Sequence, residues 1–375
     1  MDNLRYWLGF NLVRGIGPVR LRMLLDMFGD IRSAWEASEQ VLREMKLERR
    51  SLENFLKVRE QVNLDEVLRH VERVGVHVLT WDSPDYPDLL RQIPDAPPVL
   101  FVRGEITPAD EWAVALVGTR KATVYGREVA RMLAADLAHN HVTVVSGLAR
   151  GIDSVAHKAA LEAGGRTIAV LGSGVDCIYP SEHRQLAEAI AENGALLSDY
   201  PLGTQPESAN FPARNRIISG LSLGVVVVEA DIKSGALITA DFALDQGREV
   251  FAVPGSILSP ASAGCNRLLR DGASIVTEVG DILEGLHLDH LAEKQMAREI
   301  LPANATEAAI IGCLSAEPRH LDELSRETAL PVEVISSTLV MMELKGMARQ
   351  VAPLQYVIAR EPEEAYTVGE NSTTD

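Results

Sequence analysis

Glycines, hydroxyls and arginines recur together after short apolar runs, a combination suited to gripping phosphate without making or breaking bonds. The first such stretch is Val117-Gly118-Thr119-Arg120-Lys121, followed by Tyr125-Gly126-Arg127. Glycine lets an anion approach the backbone, a hydroxyl donates to it, and an arginine clamps it bidentately. The second, Ser146-Gly147-Leu148-Ala149-Arg150-Gly151-Ile152-Asp153, is a long glycine-bearing turn that opens a helix, whose N-terminus favours an anion. Further along lie Gly172-Ser173-Gly174-Val175-Asp176, then Phe211-Pro212-Ala213-Arg214-Asn215-Arg216. Glu229-Ala230-Asp231-Ile232-Lys233-Ser234-Gly235-Ala236 and Val253-Pro254-Gly255-Ser256 complete the series. Any one of these is equally explained by a tight strand-to-helix turn. Together on one rim they describe a surface for several phosphates or one polyphosphate.

The motifs that are missing narrow the chemistry. No GxGxxG follows the first strand, so a nicotinamide or flavin cofactor is not expected, and no GxxxxGK[ST] marks an ATPase loop. The one GxSxG pattern, Gly220 to Gly224, runs from a predicted helix into a predicted strand and so is not a strand-to-helix nucleophile elbow, and no HExxH zinc site occurs. Asp153 and His157 stand four apart on one helix and could form an acid–base pair, or equally a cap and a packing histidine. No cofactor, metal or catalytic residue is therefore expected.

These stretches need a sheet to bring them together. Strands are predicted at residues 113–117, 142–145, 167–171, 195–198, 225–229 and 250–253. Helices are predicted between them at 125–139, 154–163, 182–192, 213–220 and 236–246. Short β-branched runs alternating with helices mean a mostly parallel sheet covered on both faces, an α/β Rossmann-like doubly wound fold. Ligands of such a sheet bind beyond the carboxyl ends of its strands, where the glycine and arginine stretches fall.

Residues 1–75 read as a helical domain of helix-hairpin-helix (SAM-like) type. Gly15-Ile16-Gly17 makes a tight turn and Pro18 suits the first turn of the next helix. The turn amides could hold a DNA phosphate, or simply join two helices. Residues 76–285 form the Rossmann-like domain, entered through a proline cluster over 76–110 that reads as irregular connecting chain. Residues 286–303 read as a linker, and 304–360 as three helices and a β-hairpin, the layout of a winged helix. The acidic tail 361–375 is expected to be disordered.

The formal net charge of −17 would ordinarily argue against a nucleic-acid binder. Eight of the excess negatives lie in residues 281–299 and the tail, so the site is expected to be a local cationic pocket in an acidic protein. Three scattered cysteines offer no disulfide framework. No leader pattern or long apolar stretch is evident, so a cytoplasmic protein with no membrane contact is expected.

The order and spacing of the motifs resemble the DNA-processing protein A (DprA/Smf) family of bacterial recombination mediators. The resemblance runs through Tyr86-Pro87-x-x-Leu90, Pro97-Pro98-x-Leu100-Phe101-x-x-Gly104, Val117-Gly118-Thr119-Arg120 and Ser146 to His157. It continues through Tyr179-Pro180, Phe211 to Ser222, Ser234 to Ala240, and Pro254-Gly255. It implies a non-enzymatic, homodimeric protein that binds single-stranded DNA, protects incoming strands in natural transformation and loads RecA. Carried onto this chain, Gly118, Thr119 and Arg120 would grip phosphate, with Ser146, Gly147, Arg150 and Gly151 as the neighbouring cradle. Arg214, Asn215 and Arg216 would reach the backbone or brace the pocket, Ser234 and Gly235 would complete the rim, and Phe211 would stack on a base. The run from Gly203 to Asn210 carries no lysine where one is expected, and the third winged-helix helix (332–344) carries no cation. A nucleotide-binding or nucleotide-hydrolysing Rossmann-like enzyme is the alternative. The cytokinin-activating phosphoribohydrolases carry PGGxGTxxE where this chain has Ser234 to Ala240 without the acidic residue.

Overall fold

The computed structural model describes residues 3–45, 47–288, 305–315, 318–344 and 347–358. The expected linker falls mostly, and the acidic tail wholly, outside the described residues. The chain divides into two compact units, 1–289 and 290–375.

The first unit is built on a nine-stranded sheet in the order β1-β2-β6-β5-β4-β3-β7-β8-β9. Its parallel core comprises β3 (Ala113–Gly118), β4 (Thr143–Ser146), β5 (Thr167–Val170), β6 (Gly194–Ser198), β7 (Gly224–Glu229) and β8 (Glu249–Ala252). Helices cover both faces, so these strands read as unbroken apolar runs, and every residue of β4, β5, β6 and β7 is buried. A two-residue strand β9 (Ser274–Ile275) extends the parallel edge. Crossing helices α8 (Val124–His139), α9 (Ile152–Glu162), α10 (Arg184–Asn193), α11 (Asn210–Gly220) and α12 (Ala236–Asp245) lie between the strands. The chain steps from β3 outward through β4, β5 and β6, then returns to pair β7 on the other side of β3. That reversal is the topological switch point, where a doubly wound sheet opens a crevice.

The proline-rich 76–110 stretch is not irregular, contrary to expectation. It contains β1 (His77–Thr80), the one-turn helix α7 (Asp88–Arg91) and β2 (Val99–Gly104), with β2 antiparallel both to β1 and to β6. The prolines fall in the connections, while Val99-Leu100-Phe101-Val102 is a fully buried run. Tyr86, almost wholly buried, donates its hydroxyl to the Pro97 carbonyl at 2.8 Å and ties the connection to the core.

In front of the sheet, α1 (Leu4–Asn11), α2 (Pro18–Phe28), α3 (Ile31–Glu36), α4 (Glu39–Glu44), α5 (Arg49–Gln61) and α6 (Leu64–Val74) form the expected helical segment. Their core of Trp7, Phe10, Trp35 and Phe55 continues onto Val99 and Phe101 of β2. Pro18 does open α2, and Arg20 staples the preceding turn, donating to the Gly15 carbonyl at 2.5 Å and to Ser51 Oγ at 2.8 Å. After β8 the chain closes the unit with α13 (Ala263–Arg270) and α14 (Val279–Gly285).

The second unit holds α15 (Ala305–Cys313), α16 (Leu321–Thr328) and α17 (Val332–Leu344), followed by the hairpin β11 (Ala348–Ala352) and β12 (Gln355–Ile358). A two-residue strand β10 (Arg319–His320), unanticipated in the sequence, adds to β12. Ile310, Leu324, Ile335, Leu339 and Met342 fill its core. This is the winged-helix layout.

Candidate nucleic-acid interface

The switch point opens into a cleft of about 550 Å³. The turn after β3 contributes Gly118, Thr119, Arg120 and Lys121. The turn after β4 supplies Ala149 and the first turn of α9 Asp153, α11 supplies Phe211, Pro212, Arg214 and Asn215, and the turn after β7 supplies Ser234 and Gly235. Tyr179 and Ser208 also line it. The lining carries three cations, Arg120, Lys121 and Arg214, against the single carboxylate of Asp153. An acidic chain therefore presents a locally cationic hollow.

Each wall is held from behind. The Thr119 amide donates to the Glu229 carbonyl at 2.7 Å, bracing the β3 turn against β7. Buried Glu229 then accepts from the Thr123 amide at 2.8 Å and the Thr123 hydroxyl at 2.6 Å, fixing the start of α8. Gly151 has φ +81°, and a Cβ there would lie 2.2 Å from the Thr119 carbonyl oxygen. Only glycine lets the β3 and β4 turns approach this closely. Asp153 is buried and accepts from the amides of Gly147 at 3.1 Å and Ala149 at 3.4 Å, curling the β4 turn around its carboxylate. Burial pushes the Asp153 pKa up, against the pull of Arg214 and those amides. Within this turn Leu148 has φ +57°, unusual for a fully buried non-glycine residue, and His183 Nδ1 lies 2.8 Å from its carbonyl oxygen.

The arginines take distinct positions. Arg120 is exposed, with its guanidinium carbon 5.4 Å from the centre of the Phe211 ring. Phe211 in turn packs 5.6 Å from Tyr179, so a cation and two rings line one wall. Arg214 is only 3% exposed and forms the floor. Its guanidinium donates to the Gly147 carbonyl at 2.9 Å and to the Val170 carbonyl, and a Cβ on Gly147 would collide with it at 2.6 Å. Burial lowers the Arg214 pKa to about 10, with Asp153 opposing and Arg120 adding to the fall. Arg216 lies outside the cleft lining, locked by Asp199 and Asp95 at 2.9 Å each. Arg150 sits outside that lining too, exposed and paired with Glu182.

Among the other candidates, Ser146 is fully buried and gives its hydroxyl to the Leu116 carbonyl at 2.6 Å, linking β4 to β3. Gly147 is buried over Arg214. Ser234 and Gly235 stand exposed or half-exposed before α12, with Asn215 Nδ2 donating to the Gly235 carbonyl at 3.3 Å. His157 is wholly buried, its Nδ1 2.7 Å from the Thr167 hydroxyl. Since that hydroxyl donates to the Val144 carbonyl, it accepts from Nδ1–H. Burial drives the His157 pKa down to about 3, so the ring is neutral. No hydrogen bond joins it to Asp153 among the described residues. Tyr179 and Ser208 are lining residues to which the sequence reading gave no role, and Lys121 stood in the first glycine–arginine stretch without a role of its own. Tyr179 was legible only as part of a Tyr-Pro pair. Its place beside Phe211 depends on a contact spanning the whole β5 to α11 excursion.

Comparison with known proteins follows the same lines. Residues 77–287 match the family model for the DNA recombination-mediator protein A, and residues 292–352 match that for the DprA winged helix domain. The chain is 36% identical to Protein Smf of Synechocystis sp., covering 94% of this chain and 98% of that protein. It is 39% identical to Protein Smf of Escherichia coli, over 91% and 95%. The solved DNA processing protein A of Streptococcus pneumoniae superposes with TM-score 0.67 at 35% identity, covering 74% of this chain and 97% of that one. The Helicobacter pylori protein, studied for its single-stranded DNA binding mode, superposes with TM-score 0.51 at 32% identity, covering 57% and 97%.

Proposed function

The chain belongs to the DNA recombination-mediator protein A (DprA/Smf) family, and from that premise we propose that the switch-point cleft binds single-stranded DNA and performs no chemistry on it. One observation carries the reading: three cations and two adjoining aromatic rings converge in a cleft with one buried carboxylate, in a chain of net charge −17. Arg120 and Lys121 meet the phosphates, with the Gly118 and Thr119 backbone and the Ser234-Gly235 turn offering further donors. Arg214, Gly147, Gly151 and Ser146 hold the walls in register, and Arg216 fixes α11. Phe211 and Tyr179 meet the bases. Aromatic stacking contributes ~1–3 kcal/mol per base and tolerates any sequence, as a handler of arbitrary strands requires.

A homodimer would engage one strand at two clefts and raise avidity without new contacts. We infer, from the resemblance to the family, that the bound strands are incoming ones protected in the cytoplasm and that RecA is loaded onto them. The neutral, buried His157 and the missing acidic residue after Ser234 weigh against hydrolysis of nucleotides.

The test is binding of a fluorescent oligothymidine to the purified protein, alongside incubation with nucleoside monophosphates. Tight binding that weakens steeply with salt, and no release of free base, is expected. Base release that His157→Ala abolishes would overturn the reading in favour of an enzyme.

A further inference from the structure

Arg150 lies beside the cleft with its guanidinium already occupied. Its neighbour Ala149 lines the cleft, and the next residue, Gly151, packs against the backbone of Arg120. Its own guanidinium is held by Glu182, Nε donating to Oε1 at 2.5 Å and Nη2 to Oε2 at 2.8 Å. This is the bidentate fork that arginine makes equally well with two oxygens of a phosphodiester. Glu182 is delivered by the same segment as Tyr179, three residues earlier, and His183 ties that segment to the Leu148 carbonyl. Both partners of the pair are more than half exposed in their side chains, at 57% and 51%. An exposed pair of this kind is weak and readily exchanged.

We propose that Glu182 is a phosphate surrogate, occupying Arg150 in the free protein and yielding it to the backbone of a bound strand, so that it sets the affinity and salt response of the cleft. The inference rests on the single-strand reading of the same site. Its electrostatic consequence is specific. A phosphate contact releases a counterion from the strand, about 0.7 per contact for single strands. Salt screens the Arg150–Glu182 attraction, so competition from Glu182 weakens as salt rises and offsets part of that release. Arg150 therefore adds less than a full contact to the salt slope of the wild-type protein, although it touches DNA. With Glu182 neutral, the full contribution appears.

The experiment is oligothymidine binding across a salt series for wild type, Glu182→Gln, Arg150→Ala and the double variant. Glu182→Gln is expected to bind roughly two- to fivefold more tightly near 0.1 M salt, the scale of an exposed pair released. Its slope of log K against log salt should steepen, by up to about 0.7. In the Arg150→Ala background the same substitution should change the slope by nothing. The thermal midpoint of each variant confirms folding, because both side chains are exposed. An unchanged slope for Glu182→Gln, or an equal gain without Arg150, would overturn the proposal by reducing Glu182 to a bystander charge. Failure of the wild type itself to bind would instead overturn the single-strand reading.

Discussion

Replacing Arg120 by alanine tests the cleft at its most accessible cation. The side chain is exposed and, among the described residues, its guanidinium forms no ion pair; its neighbour is the Phe211 ring at 5.4 Å. Folding should therefore lose only the cation–π contact, roughly 0.5–1 kcal/mol, and the urea midpoint should shift little. Binding should lose a charge-assisted hydrogen bond to phosphate, about 1.5–3 kcal/mol, which is roughly a tenfold to 150-fold weaker Kd at fixed salt. One fewer phosphate contact should also flatten the slope of log K against log salt by about 0.7. Arg120→Lys separates the two components. Lysine keeps the charge and therefore the slope, but loses the bidentate fork and part of the affinity. Fluorescence anisotropy of labelled oligothymidine at four or five salt concentrations reads all of this. An Arg120→Ala isotherm and slope matching the wild type would refute the assignment of this wall to phosphate.

Other variants separate wall from floor. Tyr179→Leu is expected to weaken binding about 5- to 150-fold with an unchanged salt slope, and to abolish quenching of a 2-aminopurine base in the oligonucleotide. Arg214→Met should behave oppositely, costing roughly 3–5 kcal/mol of stability in urea unfolding, because buried Asp153 and the Gly147 carbonyl lose their cationic partner. Gly151→Ala places a Cβ 2.2 Å from the Thr119 carbonyl oxygen, so the β3 and β4 turns must part; strand binding should fall by tenfold or more while the far-ultraviolet spectrum is retained. His157 supplies a pH test. Its pKa in the fold is about 3 against 6.5 in the unfolded chain, so between these values the unfolded state binds the extra proton and stability falls as pH falls. Each unit from about pH 6 to 4 should cost up to ~1.4 kcal/mol from this residue. The difference between wild-type and His157→Gln stability curves should show that slope, and parallel curves would contradict it.

The parallel core was readable because strands covered on both faces have no polar alternation to confuse with a helix. The apolar runs before Gly118 and Gly147 end where β3 and β4 end, to within a residue. The start of α11 at Asn210 was missed by three residues, since Pro212 reads as a break when it in fact occupies the first turn. The strands β1 and β2 were obscured by the prolines of their connections. In the site, residue types were legible and their jobs were not. Arg214 and Arg216 are two apart in the sequence, yet one lies under Gly147, 67 residues away, and the other against Asp95, 121 residues away. Local spacing carries no information about such partners. Arg120, by contrast, is exposed and, among the described residues, its guanidinium makes no ion pair or hydrogen bond.

The account stands on where an unpaired strand lies on this surface. Photo-crosslinking a 5-iodouridine oligonucleotide to the full-length protein and mapping the adducts by mass spectrometry locates it directly. Adducts on Tyr179 and Phe211, lost when unlabelled oligothymidine competes, are the expected result. Adducts confined to the Gly15–Gly17 turn or to the winged helix, with the cleft unmarked, would contradict it.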